Sequence, residues 1–141
     1  MAAYKPISIL SLLKEVEKSE GRSIMITIPS STSWEEYEKE LSRVENGRGS
    51  IDFMVGQFPK GVKVGSRCYL VHLGNVVGWM AISGFTEKTV KGPNGNEFNG
   101  KFIERSGPFH YLKEKIPMRG FIGFRYFSPF IDENLYNAET I

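Results

Sequence analysis

The chain has 141 residues, near the usual size of one domain and enough for one hydrophobic core. Its 18 basic and 16 acidic residues leave a net charge of +2, too little for a protein that holds nucleic acid by phosphate neutralisation alone. The single cysteine, Cys68, excludes an internal disulfide and a cysteine-based zinc site. No stretch approaches the roughly 18 consecutive apolar residues of a membrane span. The N-terminus lacks the layout of a secretory signal, because Lys14, Glu15 and Glu17 interrupt its apolar cluster. We therefore expect a cytoplasmic protein with no membrane association.

The first element expected is a helix over residues 7–20, where Ile9, Leu10, Leu12, Leu13 and Val16 recur at helical spacing. Residues 23–28 read as a buried strand ended by Pro29. A polar run, Ser30-Ser31-Thr32, follows. Ser33-Trp34-Glu35-Glu36 forms a capping box, and the helix it opens runs to about Val44, with Trp34, Tyr37, Leu41 and Val44 on one face. Ile51–Val55 is a short strand. Arg67–Leu73 and Val76–Ser83 read as a hairpin joined by Gly74-Asn75, since glycine at the first turn position suits a tight loop. That register sets Leu73 opposite Val76, His72 opposite Val77, Val71 opposite Gly78, Leu70 opposite Trp79 and Tyr69 opposite Met80. Both faces are apolar, which suits a central, covered hairpin. Gly92-Pro93-Asn94-Gly95-Asn96 is a dense turn signal, with strands expected over Thr86–Val90 and Glu97–Glu104. One helical turn is expected over Tyr111–Lys115 and a last strand over Phe121–Phe127. Strands gathered after early helices mean α+β, and short strands with glycine-rich turns favour a small barrel.

The segment Lys60–Ser83, with its basic lead-in, Gly65-Ser66, apolar strand, short turn and Gly78 in the second strand, resembles the central hairpin of PUA-like domains. ASCH, EVE and YTH domains belong to that group. Gly65-Ser66 stands where Gly-Asp is usual, and the Gly-x-Lys-x-x-Thr-x-Arg signature of many ASCH domains is absent. Upstream, the Ser23–Pro29 strand, the Ser30–Ser33 loop and the Trp34–Val44 helix are similar to the EVE and YTH arrangement. The resemblance spans residues 23–127. It implies a small PUA-like β-barrel of five to six strands with two or three flanking helices. Residues 1–22 would form a helical extension packed on that domain, and residues 128–141 a tail. It also implies a cleft beside the first strand and the following loop that takes RNA, DNA or a modified base.

The candidate site residues follow from both lines. Hydroxyls at Ser30, Ser31 and Thr32, just before a helix N-terminus, suit a phosphate or a base edge, though the same residues also make ordinary turns. Trp34 and Trp79 offer rings for base stacking, and each also suits a core position. In EVE-like domains the stretch matching Asp52 and Phe53 borders the pocket, so the resemblance implies a carboxylate acceptor and a stacking ring there. Lys63 and Arg67, on a basic run with Lys60, could follow a phosphate backbone. Arg119 and Arg125 could do the same. Their stretch, Arg119–Phe127, is similar to an RNA-recognition motif but places Ile122 where a glycine or alanine belongs, so it reads as a barrel-closing strand.

His72 and His110 stand far apart without organised carboxylates, so no metal ligand is assigned. Gly-x-Ser-x-Gly and the phosphate-binding Gly-x-x-x-x-Gly-Lys-Ser/Thr loop are both absent, so no catalytic residue and no cofactor are assigned. The favoured reading is a module that binds nucleic acid or a nucleotide-like ligand. A nucleoside-processing hydrolase would need Thr32, Asp52 and Lys63 to meet in one cleft. A protein–protein adaptor would use the N-terminal helix and the aromatic tail.

Overall fold

The computed structural model describes residues 21–126. The helix expected over 7–20 and the tail from 128 onward lie outside the described residues, and so does any partner contact through that helix. Six strands and one helix fill the described part: β1 (Ile24–Thr27), α1 (Trp34–Val44), β2 (Ile51–Val55), β3 (Arg67–His72), β4 (Asn75–Lys91), β5 (Glu97–Pro117) and β6 (Phe124–Tyr126). The strands form one mixed sheet in the order β2-β5-β4-β3-β1-β6, curled into a half-barrel. Only β1 and β3 run parallel; the other pairs are antiparallel. Among the described residues no helix is long and apolar enough to cross a membrane.

The core follows strand alternation. Ile24 and Ile26 of β1, Cys68 and Leu70 of β3, Ile82 of β4 and Ile103 of β5 share one cluster, and Phe53 and Trp34 pack against it. Met25, Tyr69, Val71, Val76, Ile116 and Met118 make a second cluster, from the alternate positions of β1 and β3. That is the two-sided burial expected of a hairpin apolar on both faces.

Helix α1 begins where the capping box places it. Ser33 is extended (φ −71°, ψ 154°) and its Oγ accepts the Glu36 N–H at 3.1 Å. The Glu36 carboxylate accepts the Ser33 hydroxyl at 3.2 Å, so here it holds the cap's side chain. Leu41 and Val44 bury against Met80. Gly47, at φ 80°, closes the helix by donating to the Val44 carbonyl at 3.0 Å.

Two expectations about the sheet are corrected. The hairpin turn is Leu73-Gly74, with both residues at positive φ (48° and 80°), the geometry of a turn whose twist matches its strands. His72 therefore faces Asn75 and Val71 faces Val76. A bulge at Val77 then sets Leu70 opposite Gly78 and Tyr69 opposite Trp79. The second correction is that Tyr111–Lys115 is strand. β5 runs unbroken from Glu97 to Pro117, and Ser106-Gly107-Pro108, a stop by composition, is carried as an irregularity in which Gly107 takes φ 92°. The bulges along β4 and β5 let two long strands bend. The described residues thus hold one flanking helix, where two or three were expected.

Candidate functional site

The polar loop between β1 and α1 is pinned at both ends. The Ile28 N–H donates to the Val71 carbonyl at 2.8 Å, extending the β1–β3 pairing, and the Thr32 N–H donates to Pro29 at 3.0 Å. His72 is buried beneath the loop with Nε2 2.8 Å from the Thr32 carbonyl oxygen. A carbonyl accepts only, so Nε2 carries the proton and the imidazole is fixed in that role.

Above this base lies a cavity of about 610 Å³. Ser30, Ser31, Thr32 and Ser33 line it from the loop, and Trp34 and Glu35 from α1. His72, Leu73, Asn75 and Val77 come from the β3–β4 hairpin, and Tyr111 and Lys115 from β5. Its size is that of a small-molecule pocket, typically ~300–1,000 Å³.

Trp34 is the hub of the wall. Its ring stacks on Tyr37 (centroids 5.8 Å, 25° between planes) and packs against Phe109 at 5.5 Å and His72 at 5.7 Å. Tyr111 meets it edge-on at 6.0 Å. Trp34 Nε1–H donates to Tyr111 Oη at 3.0 Å, and Tyr111 Oη–H donates to the Glu38 carboxylate at 3.0 Å. Loss of solvent raises the Tyr111 phenol above its ordinary value; the Trp34 N–H opposes the rise and Glu38 adds to it. Phe109 reaches Trp34 because Gly78 leaves room: a Cβ on Gly78 would lie 2.3 Å from the His110 carbonyl oxygen and 2.5 Å from the Phe109 ring.

Behind the helix lies a buried polar cluster. Arg105, on β5, is 2% exposed, and its Nη1 points at Met80 Sδ, 3.9 Å away. Burial raises the Tyr37 phenol, against the opposing charge of Arg105. Tyr37 Oη and Arg105 Nε are buried without a regular hydrogen bond, so their contact is charge beside dipole rather than a well-formed bond. Burial also pushes the Cys68 thiol up to about 11, despite Arg105 beside it. Cys68 is thus a neutral core filler at ordinary pH, not a nucleophile.

The structure brings Ser30, Ser31, Thr32 and Trp34 together in one pocket. The other candidates lie elsewhere. Asp52 sits on the β2 edge, bonded to the Ser50 hydroxyl and to Lys88 at 3.3 Å, while Phe53 packs into the core. Lys63 is exposed in the loop before β3. Arg67 lies 3.9 Å over the Trp79 ring, and His110 stacks on the same ring at 4.1 Å and 22°. Two groups that near one ring centre cannot share a side, so both faces of Trp79 are covered. Arg119 is exposed after β5, and Arg125 on β6 lies 4.7 Å over Phe121. Thr32, Asp52 and Lys63, the trio a hydrolase would need, do not meet. Sequence reasoning missed Glu35, Leu73, Asn75, Tyr111 and Lys115. For the last two the sequence carries no deciding signal, because Tyr111 with Lys115 and Leu112 with Ile116 stand four apart, a spacing that suits a helix as well as a strand.

Comparison of the chain with family models, with curated proteins and with solved structures finds no match.

Proposed function

We propose that the chain is a nucleic-acid-binding module of PUA-like build that receives a base, modified or turned out of its stack, in the pocket between the Ser30–Ser33 loop, α1 and β5. The observation that carries the reading is the coincidence of place. The pocket lies beside the first strand and its following loop, where the resemblance puts the ligand, and Trp34 and Tyr111 form aromatic walls beside loop hydroxyls. The ring walls supply stacking, worth ~1–3 kcal/mol per base. Ser30, Ser31 and Asn75 supply groups that read a base edge. The strand–loop–helix order and the curled sheet are compatible with the same build.

The test is a titration of the purified chain against short single- and double-stranded RNA and DNA, with and without modified bases, beside Trp34→Leu. Binding that weakens at least tenfold in the variant, with the variant's fold intact by circular dichroism, is the expected result. Equal binding by both proteins removes the base from the pocket.

A further inference from the structure

The pocket's charges say which end of a ligand it takes. A phosphate would ordinarily seek the N-terminus of α1, where free N–H groups and the helix dipole favour an anion. Here that end is already occupied by the chain's own acids. Ser33 Oγ takes the Glu36 N–H, and the carboxylates of Glu35 and Glu36 stand in the first turn. Glu35 also lines the pocket. An anion entering there meets like charge, while a neutral ring meets Trp34 and Tyr111. The lining contains one lysine and no arginine: Lys115, on β5.

Five cations elsewhere among the described residues are engaged within the protein. Arg22 lies 3.5 Å over Tyr126, Arg67 covers Trp79 and Arg125 covers Phe121. Lys88 is paired with Asp52 and Arg43 with Glu40. A phosphate track that used these five would have to break those contacts.

We propose that the pocket selects the ring end of a nucleoside-type ligand and repels its phosphate, with Glu35 as the residue that keeps the anion out and Lys115 as the cation that meets the phosphate at the rim. This inference rests on the base-binding reading above and adds the orientation and the charge selectivity of the same site. Recognition is then dominated by the base, and binding depends little on salt. One phosphate contact on a single strand gives a slope of log K against log salt of about −0.7.

The experiment is competition by fluorescence anisotropy with the full chain, using labelled short single-stranded RNA and DNA. Unlabelled ribonucleosides, their 5′-monophosphates and inorganic phosphate serve as competitors at several salt concentrations. The variants are Glu35→Gln and Lys115→Gln, both at exposed positions that leave the fold alone. Nucleosides compete and inorganic phosphate does not. Glu35→Gln tightens the monophosphates roughly threefold and leaves the nucleosides unchanged, as expected for removing one nearby like charge. Lys115→Gln flattens the salt dependence of the oligonucleotide. Competition by inorganic phosphate, a slope several times steeper, or equal effects of Glu35→Gln on nucleoside and monophosphate would overturn the proposal while leaving nucleic-acid binding in place. Nucleosides that quench the fluorescence of Trp34 in a direct titration, where the labelled oligonucleotides do not bind, would uphold the charge selectivity and sink the nucleic-acid reading. Binding by neither sinks both.

Discussion

The two tryptophans sit in unlike surroundings. Trp34 opens a helix and lines a cavity, with its N–H fixed on Tyr111 and its ring held among Tyr37, Phe109 and His72. Trp79 lies mid-strand between Arg67 and His110, both of its faces taken, against Met25, Tyr69 and Val71. The comparison teaches that an aromatic ring is a candidate reader only where the chain leaves part of it uncovered. Composition cannot distinguish the two; cross-strand register does. The Trp34 side also has a buried polar cluster behind it, Arg105 with Tyr37 and Cys68, whereas Trp79 packs inward on a hydrophobic cluster and carries its polar partners, Arg67 and His110, on the ring faces.

The strongest way to break the contrast is at Gly78. An alanine there would drive into the His110 carbonyl and the Phe109 ring, and the backbone oxygen cannot move aside as a side-chain tip would. Overpacking of this kind costs about 3 kcal/mol. We expect Gly78→Ala to lower the unfolding free energy by that amount, read from urea melts, and to loosen Trp34 through Phe109, read as a shift of the tryptophan fluorescence.

The buried polar cluster gives a pH signature of similar size. The Cys68 thiol titrates at about 11 in the folded chain against an ordinary 9.0. Between those values the unfolded chain sheds a proton that the folded chain retains. Stability is therefore fully present below pH 9 and falls as pH rises through the window, at up to ~1.4 kcal/mol per pH unit. Denaturant midpoints measured from pH 8 to 11 should show the fall, and Cys68→Ala should flatten it. An unchanged slope in the variant would assign the fall to other groups, Tyr37 first.

How far the sequence could be read follows the range of the interactions involved. β1, α1 and β2 were legible because their signals are local: an apolar run ended by Pro29, the Ser33 cap with a 3.6-residue stripe, and a short β-rich run. The near half of the pocket, Ser30 to Trp34, came with them. The far half did not. Tyr111 and Lys115 reach the site only because β5 continues through Gly107 and because the Val77 bulge sets its partner strand in register. A glycine and a proline in succession look like an ending, and nothing nearby in the sequence says that the sheet absorbs them. The hairpin register failed for a related reason. Glycine first is one rule for a two-residue turn, and the chain uses another, with glycine second and Leu73 forced into the left-handed region.

A double comparison sharpens the role of the two rings. Trp34→Leu should weaken oligonucleotide binding about tenfold, in keeping with one lost stacking contact. Trp79→Leu should change it less than twofold and lower stability instead, by losing the stack with His110 and the cation over its other face. The opposite ranking would move the binding surface to the β3–β5 face around Arg67 and His110, and would make the pocket beside α1 incidental.

The smallest effect concerns Leu73, which lies on the pocket rim at φ 48°. A left-handed conformation costs a residue with a Cβ roughly 1–2 kcal/mol, and asparagine tolerates it better than leucine does. Leu73 is exposed, so little packing is lost with its side chain. Leu73→Asn should therefore raise stability by about 1 kcal/mol, seen as a higher melting temperature. If ligand affinity is unchanged, the strain is only the consequence of a tight turn. If affinity falls while stability rises, the leucine side chain is part of the apolar lip that receives the ring, and the strain at Leu73 is held in place because the pocket needs an apolar group at that corner.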